Sequence, residues 1–112
     1  MSDVVVFAGT TEGYEICSFL AKNKVSVLAC VATDYGSKSL KEDEYLKIHA
    51  GRLNEAEIEN LLKELSPGLV LDATHPYAAE VTENIRTACK NTGLSYERVL
   101  REKGAYQDKA VY

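Results

Sequence analysis

The chain alternates short apolar runs with longer segments of helical period. Val4-Val5-Val6-Phe7-Ala8 is apolar throughout, the pattern of a strand covered on both faces. After the turn from Gly9 to Gly13, the spacing predicts a helix to about Lys22 with Ile16, Phe19 and Leu20 turned inward. Val25 to Ala32 reads as a second buried strand and Tyr45 to His49 as a weak third. Ser37 to Glu44, between them, is polar and reads as loop or short helix. Asn54 is placed to cap the next helix, with Glu57 completing a capping-box variant. Ile58, Leu61, Leu62 and Leu65 give that helix one apolar face, and Ser66-Pro67-Gly68 stops it. Leu69 to Ala73 is the fourth strand. A helix from about Pro76 to Lys90 follows, with Ala78, Val81, Ile85 and Cys89 on one side and the proline in its first turn. Asn91-Thr92-Gly93 ends it, and Leu94 to Leu100 reads as a fifth strand.

Repeated strand–helix–strand units force right-handed crossovers and a parallel sheet. The expected class is α/β: a doubly wound, Rossmann-like sheet of about five strands in the order 3-2-1-4-5. Residues 1–101 form this domain, and 102–112 read as a polar tail without clear periodicity. In such sheets, ligands bind beyond the carboxyl ends of the strands, near the point where the strand order reverses.

Composition narrows the partners. The 112 residues are 46% hydrophobic and 27% charged, with a net charge of −4 and no basic run. That suits one soluble domain and argues against nucleic acid or an anionic membrane as partner. The longest nearly apolar stretch, Val25 to Ala32, is too short to span a bilayer, and Met1-Ser2-Asp3 leads into a strand without a signal-peptide pattern. Cys17, Cys30 and Cys89 are odd in number and lack a CxxC spacing. They read as buried free thiols in a reducing, cytoplasmic setting rather than as a disulfide framework or a zinc site.

Three strand ends carry unusual chemistry. In Ala8-Gly9-Thr10-Thr11-Glu12-Gly13, Gly9 permits a sharp turn and Gly13 close helix–strand packing. Helix-start amides with the Thr10 and Thr11 hydroxyls suit an anion; the competing reading is an ordinary tight turn, since only two glycines of a GxGxxG pattern are present. In Thr33-Asp34-Tyr35-Gly36-Ser37-Lys38, Asp34 stands near the place where an acidic residue holds a ribose 2′-hydroxyl. Ser37 and Lys38 suit a 2′-phosphate instead, so NAD and NADP both stay open, beside a turn aspartate capping its own backbone.

The third end, Asp72-Ala73-Thr74-His75-Pro76-Tyr77-Ala78, concentrates polar groups beside a buried strand. His75 suits proton donation near neutral pH. Thr74 as a helix N-cap, Asp72 as a loop cap and His75 as a surface residue are the structural alternatives. Arg52, after Gly51, suits a phosphate or carboxylate, or simply faces solvent. Arg98 and Arg101 point to opposite faces if the strand continues through both. HExxH, GxSxG, P-loop and paired-carboxylate patterns are absent from the sequence.

With these residues the chain resembles the precorrin-6A reductases of cobalamin biosynthesis. The likeness rests on Gly9-Thr10-Thr11-Glu12-Gly13, Thr33-Asp34-Tyr35-Gly36, Gly51-Arg52-Leu53 and Tyr96-Glu97-Arg98-Val99-Leu100-Arg101. Asp72-Ala73-Thr74-His75-Pro76-Tyr77-Ala78 is its most specific part. It implies an oxidoreductase that delivers a hydride from NADPH, or NADH in some members, to a double bond of a tetrapyrrole corrin precursor. By that resemblance, Gly9, Thr10, Thr11 and Glu12 line the dinucleotide phosphates, and Thr33, Tyr35, Gly36 and Ser37 lie near the adenosine. Thr74, His75, Pro76 and Tyr77 approach the nicotinamide and substrate, with His75 the first candidate proton donor. Gly51 and Arg52 border the same cleft, and Arg52, Arg98 and Arg101 suit the macrocycle's carboxylates. Ala8 stands where the family often has a second glycine. Family members are longer, so the resemblance implies an N-terminal domain alone, inactive by itself, with residues 102–112 beginning the connection to a second domain.

The leading expectation is thus the cofactor-binding part of such a reductase. The alternative is a non-catalytic nucleotide-binding or regulatory α/β module. A phosphoacceptor domain fits poorly, because Asp3 lies at the wrong end of the first strand.

Overall fold

The computed structural model describes residues 2–32, 40–75 and 77–99. Its elements run β1 (Val4–Ala8), α1 (Thr11–Lys22), β2 (Val27–Val31), β3 (Leu46–Ala50), α2 (Glu55–Leu65), β4 (Leu69–Ala73), α3 (Ala79–Thr92) and β5 (Tyr96–Arg98). The five strands form one parallel sheet in the order β3-β2-β1-β4-β5, the order expected from the alternating pattern. The strand order reverses at β1 and β4. Their register pairs Ala8 with Ala73, while β2 and β3 pair Val31 with Ala50. The segments after all four strands therefore leave from one edge.

Alternation along β1 divides the core between the two faces. Val4, Val6 and Ala8 join Cys17 and Ala21 of α1, with Val27, Ala29 and Leu46. Val5 and Phe7 join Ile58 and Leu62 of α2 and Ile85, Ala88 and Cys89 of α3. The three cysteines are free and buried. Burial pushes the Cys17 and Cys30 thiols up to about 12 and Cys89 to about 11, so they are inert, uncharged core residues near neutral pH.

The helix ends follow the local chemistry. Asn54 Oδ1 accepts from the Glu57 amide and Glu57 Oε1 from the Asn54 amide, both at 2.8 Å, completing the expected capping box. Ser66 closes α2 and Gly93 closes α3, both in the left-handed region. Gly13 brings α1 against the sheet. A Cβ there would stand 3.0 Å from Ala8 Cα and 3.0 Å from Ala73 Cβ.

Three expectations change. Phe19 is 64% exposed rather than inward. The buried line of α1 is Gly13, Cys17 and Ala21, and Phe19 lies roughly 200° around the helix from Cys17. The last helix starts at Ala79 instead of Pro76, because the Ala78 amide first closes a turn onto the His75 carbonyl at 2.9 Å. Strand β5 is shorter than Leu94 to Leu100. Leu40 to Glu44 are not helical, and Thr33–Ser39, Pro76 and residues 100–112 lie outside the described residues. Among the described residues, no helix is long and apolar enough to cross a membrane.

Candidate functional site

The ends of β1 and β4 are stitched together. The Gly9 amide donates to the Ala73 carbonyl at 3.2 Å, and the Thr10 hydroxyl donates to the same oxygen at 2.9 Å. Thr10 is also the N-cap of α1, its Oγ1 accepting from the Gly13 amide at 3.2 Å. Its hydroxyl proton is therefore engaged within the fold, and the hydroxyl is not free to meet an anion. A Cβ on Gly9 would meet Thr74 Cα at 3.4 Å and the His75 nitrogen at 3.6 Å. The two loops thus approach at backbone distance.

Beside this junction lies a cleft of about 590 Å³ on the α2/α3 face. Phe7, Cys30, Val31 and Ile58 make its apolar floor, and Gly9, Gly51, Arg52, Thr74 and His75 stand on its walls. Gly51 has φ +130°, a conformation that side-chain-bearing residues rarely adopt. Its amide donates to the Val31 carbonyl at 2.8 Å, turning the chain toward the cleft. Arg52 is exposed there and forms no ion pair among the described residues. Thr11 and Glu12 lie in the first turn of α1, outside the lining of this cleft.

His75 is exposed at the rim. Its Nδ1 accepts from the Tyr77 amide at 3.1 Å, which places the proton of the neutral ring on Nε2. The Tyr77 ring lies 5.0 Å from the imidazole, tilted by 39°, and is 89% exposed. Together they form an open aromatic surface beside the cleft.

Thr74 does not cap α3. Ala78 holds that position and makes no side-chain cap. The Thr74 hydroxyl instead donates to Asp72 Oδ1 at 2.7 Å, and its amide donates to the same oxygen at 3.1 Å. Asp72 is fully buried. Tyr96 donates to its Oδ2 at 2.8 Å, and Arg98 Nη1 to its Oδ1 at 2.9 Å. Burial would raise the Asp72 carboxyl, but hydrogen bonds from the Thr74 hydroxyl, the Tyr96 hydroxyl and the Thr74 amide more than offset it, and the group sits below its ordinary value. Burial, then the Asp72 contact, drives the Tyr96 hydroxyl far upward.

Gly9, Arg52, Thr74 and His75 are thus brought to one cleft, with Tyr77 at its rim. Arg98 is paired with Asp72. Thr33, Tyr35, Gly36, Ser37, Pro76 and Arg101, like Asp34, lie outside the described residues. The roles of Asp72 and Tyr96 were missed by sequence reasoning. An aspartate inside Leu-Val-Leu-Asp-Ala was the available signal, since a buried carboxylate requires partners.

The family model for "Precorrin-6x reductase CbiJ/CobK" matches residues 3–112. The chain belongs to that family. Among curated CbiJ/CobK-type relatives, it is 35% identical over 99 residues to the cobalt-precorrin-6A reductase of Methanothermobacter thermautotrophicus, covering 88% of this chain and 33% of that protein. It is also 35% identical over 99 residues to the Salmonella typhimurium cobalt-precorrin-6A reductase, covering 88% and 37%. A solved CobK precorrin-6A reductase superposes with a TM-score of 0.76 at 27% identity, over 90% of this chain and 39% of that one. The Bordetella bronchiseptica enzyme WbmH, solved in complex with NAD+, shares the fold with a TM-score of 0.66 at 19% identity, over 84% and 36%. This CbiJ/CobK-family chain therefore spans between a third and two-fifths of the length of these relatives.

Proposed function

We propose that the chain is the N-terminal cofactor-binding part of a reductase that transfers a hydride from NADPH or NADH to a double bond of a corrin-precursor macrocycle. The observation that carries this reading is the junction of β1 and β4. There, Gly9 approaches Thr74 and His75 at backbone distance on the wall of an apolar-floored cleft, with the α1 N-terminus following directly after it. These features fit a dinucleotide: helix-start amides for its phosphates, a glycine that lets the two loops close together, and an apolar slot for a flat ring.

In this reading the first turn of α1, through Gly9, Thr10, Thr11 and Glu12, faces the phosphates. Thr33, Tyr35, Gly36 and Ser37 serve the adenosine end, as the family resemblance implies. Thr74, His75, Pro76 and Tyr77 face the nicotinamide and substrate. Arg52 is the exposed cation available to a carboxylate or phosphate. Arg101 stays a candidate substrate ligand, whereas Arg98 reaches the site only through Asp72, Thr74 and His75. The cofactor, when bound, supplies the hydride; the chain's residues bind and orient it. His75, at the rim, is the candidate proton donor to the reduced macrocycle; it would act from its imidazolium form, since the Nε2–H of the neutral ring only donates a hydrogen bond. Residues 1–101 form the cofactor domain and 102–112 lead toward a second domain that completes the cleft, in a cytoplasmic enzyme.

The test uses the whole protein that carries this domain. Reduced nicotinamide absorbance should fall only when a corrin precursor is supplied, and His75→Gln should slow that loss by about a hundredfold if His75 is the proton donor. Turnover without the nicotinamide, or none with it, would contradict the assignment.

A further inference from the structure

Arg98 Nη1 lies 2.9 Å from Asp72 Oδ1, 3.0 Å from Thr74 Oγ1 and 3.3 Å from the Asp72 carbonyl. Its Nη2 reaches the His75 carbonyl at 3.5 Å. One guanidinium therefore spans the end of β4 and the two residues after it. Asp72 is held from β5 by Tyr96 and sits opposite Arg98 in the strand register. Thr74 Oγ1 also lies 3.3 Å from Thr82 Oγ1. Because Thr74 gives its own proton to Asp72, Thr82 is the donor in that contact. The cluster thus ties β4, β5 and α3 to one short loop, the loop that packs against Gly9.

We propose that Asp72 and Arg98 are positioning residues, a planar clamp that fixes the Thr74–His75 backbone against Gly9 in the shape the cofactor site needs. This rests on the dinucleotide reading above. It gives Arg98 a role within the fold, because Nη1 is committed to Asp72 and Thr74, rather than one as a partner of the substrate's carboxylates. Charge neutralisation alone does not explain the arrangement. A lysine could replace the contacts that Nη1 makes to Asp72 and Thr74, but its single nitrogen lacks the second arm that reaches the His75 carbonyl. That second arm is what distinguishes arginine here.

Arg98→Lys and Arg98→Met test the clamp in the 112-residue chain. Arg98→Lys should keep most of the wild-type thermal stability. Its Gly9 and Thr74 amides should nevertheless exchange about tenfold faster, while Val5 and Val6 keep their protection, and its Kd for NADPH or NADH should rise about tenfold. Arg98→Met should lose stability and loop protection together. Wild-type exchange at Gly9 and Thr74 in Arg98→Lys would overturn the clamp, as would affinity that falls only with the fraction folded. If the wild type binds neither nucleotide, the dinucleotide reading fails. The exchange comparison still decides whether the clamp holds the loop.

Discussion

Asp72→Ala lowers the free energy of unfolding by about 3 kcal/mol, read from denaturant titration at neutral pH. Removing one partner of a buried ion pair costs roughly 3–5 kcal/mol, because the other is left desolvated. Arg98 retains 21% side-chain exposure and recovers some hydration, which places the loss at the low end. The Tyr96 hydroxyl and the Thr74 amide lose their acceptor in the same change. Asp72→Asn keeps the shape and one acceptor oxygen, so it loses less.

The pH dependence has a definite sign. The folded Asp72 carboxyl lies below its ordinary value. Its contribution is therefore present above the unfolded value of about 3.9 and is lost as the pH falls through the folded value. The stability gap between wild type and Asp72→Asn should close as the pH drops below about 4. A gap that widens in acid would contradict the pairing.

Gly13→Val destabilises by about 2 kcal/mol and weakens any ligand held at the α1 N-terminus. The added Cβ alone would stand 3.0 Å from Ala8 Cα and 3.1 Å from Ala8 Cβ. Ala8 and Ala73 are paired in the two central strands and are 4% and 0% exposed, so neither recedes without opening the sheet. Helix α1 must lift instead, carrying its first turn away from the junction. Gly13→Ala gains about 1 kcal/mol of helix propensity, which offsets part of the clash and leaves a smaller loss. Thermal unfolding of the two variants side by side checks the order.

Much of this architecture was legible from local pattern. The apolar run at β1, the Asn54–Glu57 capping box and the glycine at position 13 each depend on neighbours close in sequence or on a general packing rule. The 3-2-1-4-5 order is that of the doubly wound arrangement which alternating strands and helices imply. Phe19 was misplaced because several registers of one helix offer an apolar stripe, and only docking selects Gly13-Cys17-Ala21. The start of α3 was misjudged because the turn onto the His75 carbonyl takes precedence over the proline signal. In the site, the polar concentration after β4 was visible, but its internal wiring was not. Arg98 looks like a surface cation until the β4–β5 register sets it opposite Asp72. Thr74 looks like a cap until its hydroxyl is seen on that carboxylate.

The central claim is that the junction of β1 and β4 binds a nicotinamide dinucleotide. Calorimetric titration of NADPH and NADH into the 112-residue chain measures this directly. The account predicts saturable binding of at least one of them, weakened in Gly13→Val and retained in a variant of the exposed helix face such as Phe19→Ser. No binding of either at millimolar concentration, or binding indifferent to Gly13→Val, would contradict it.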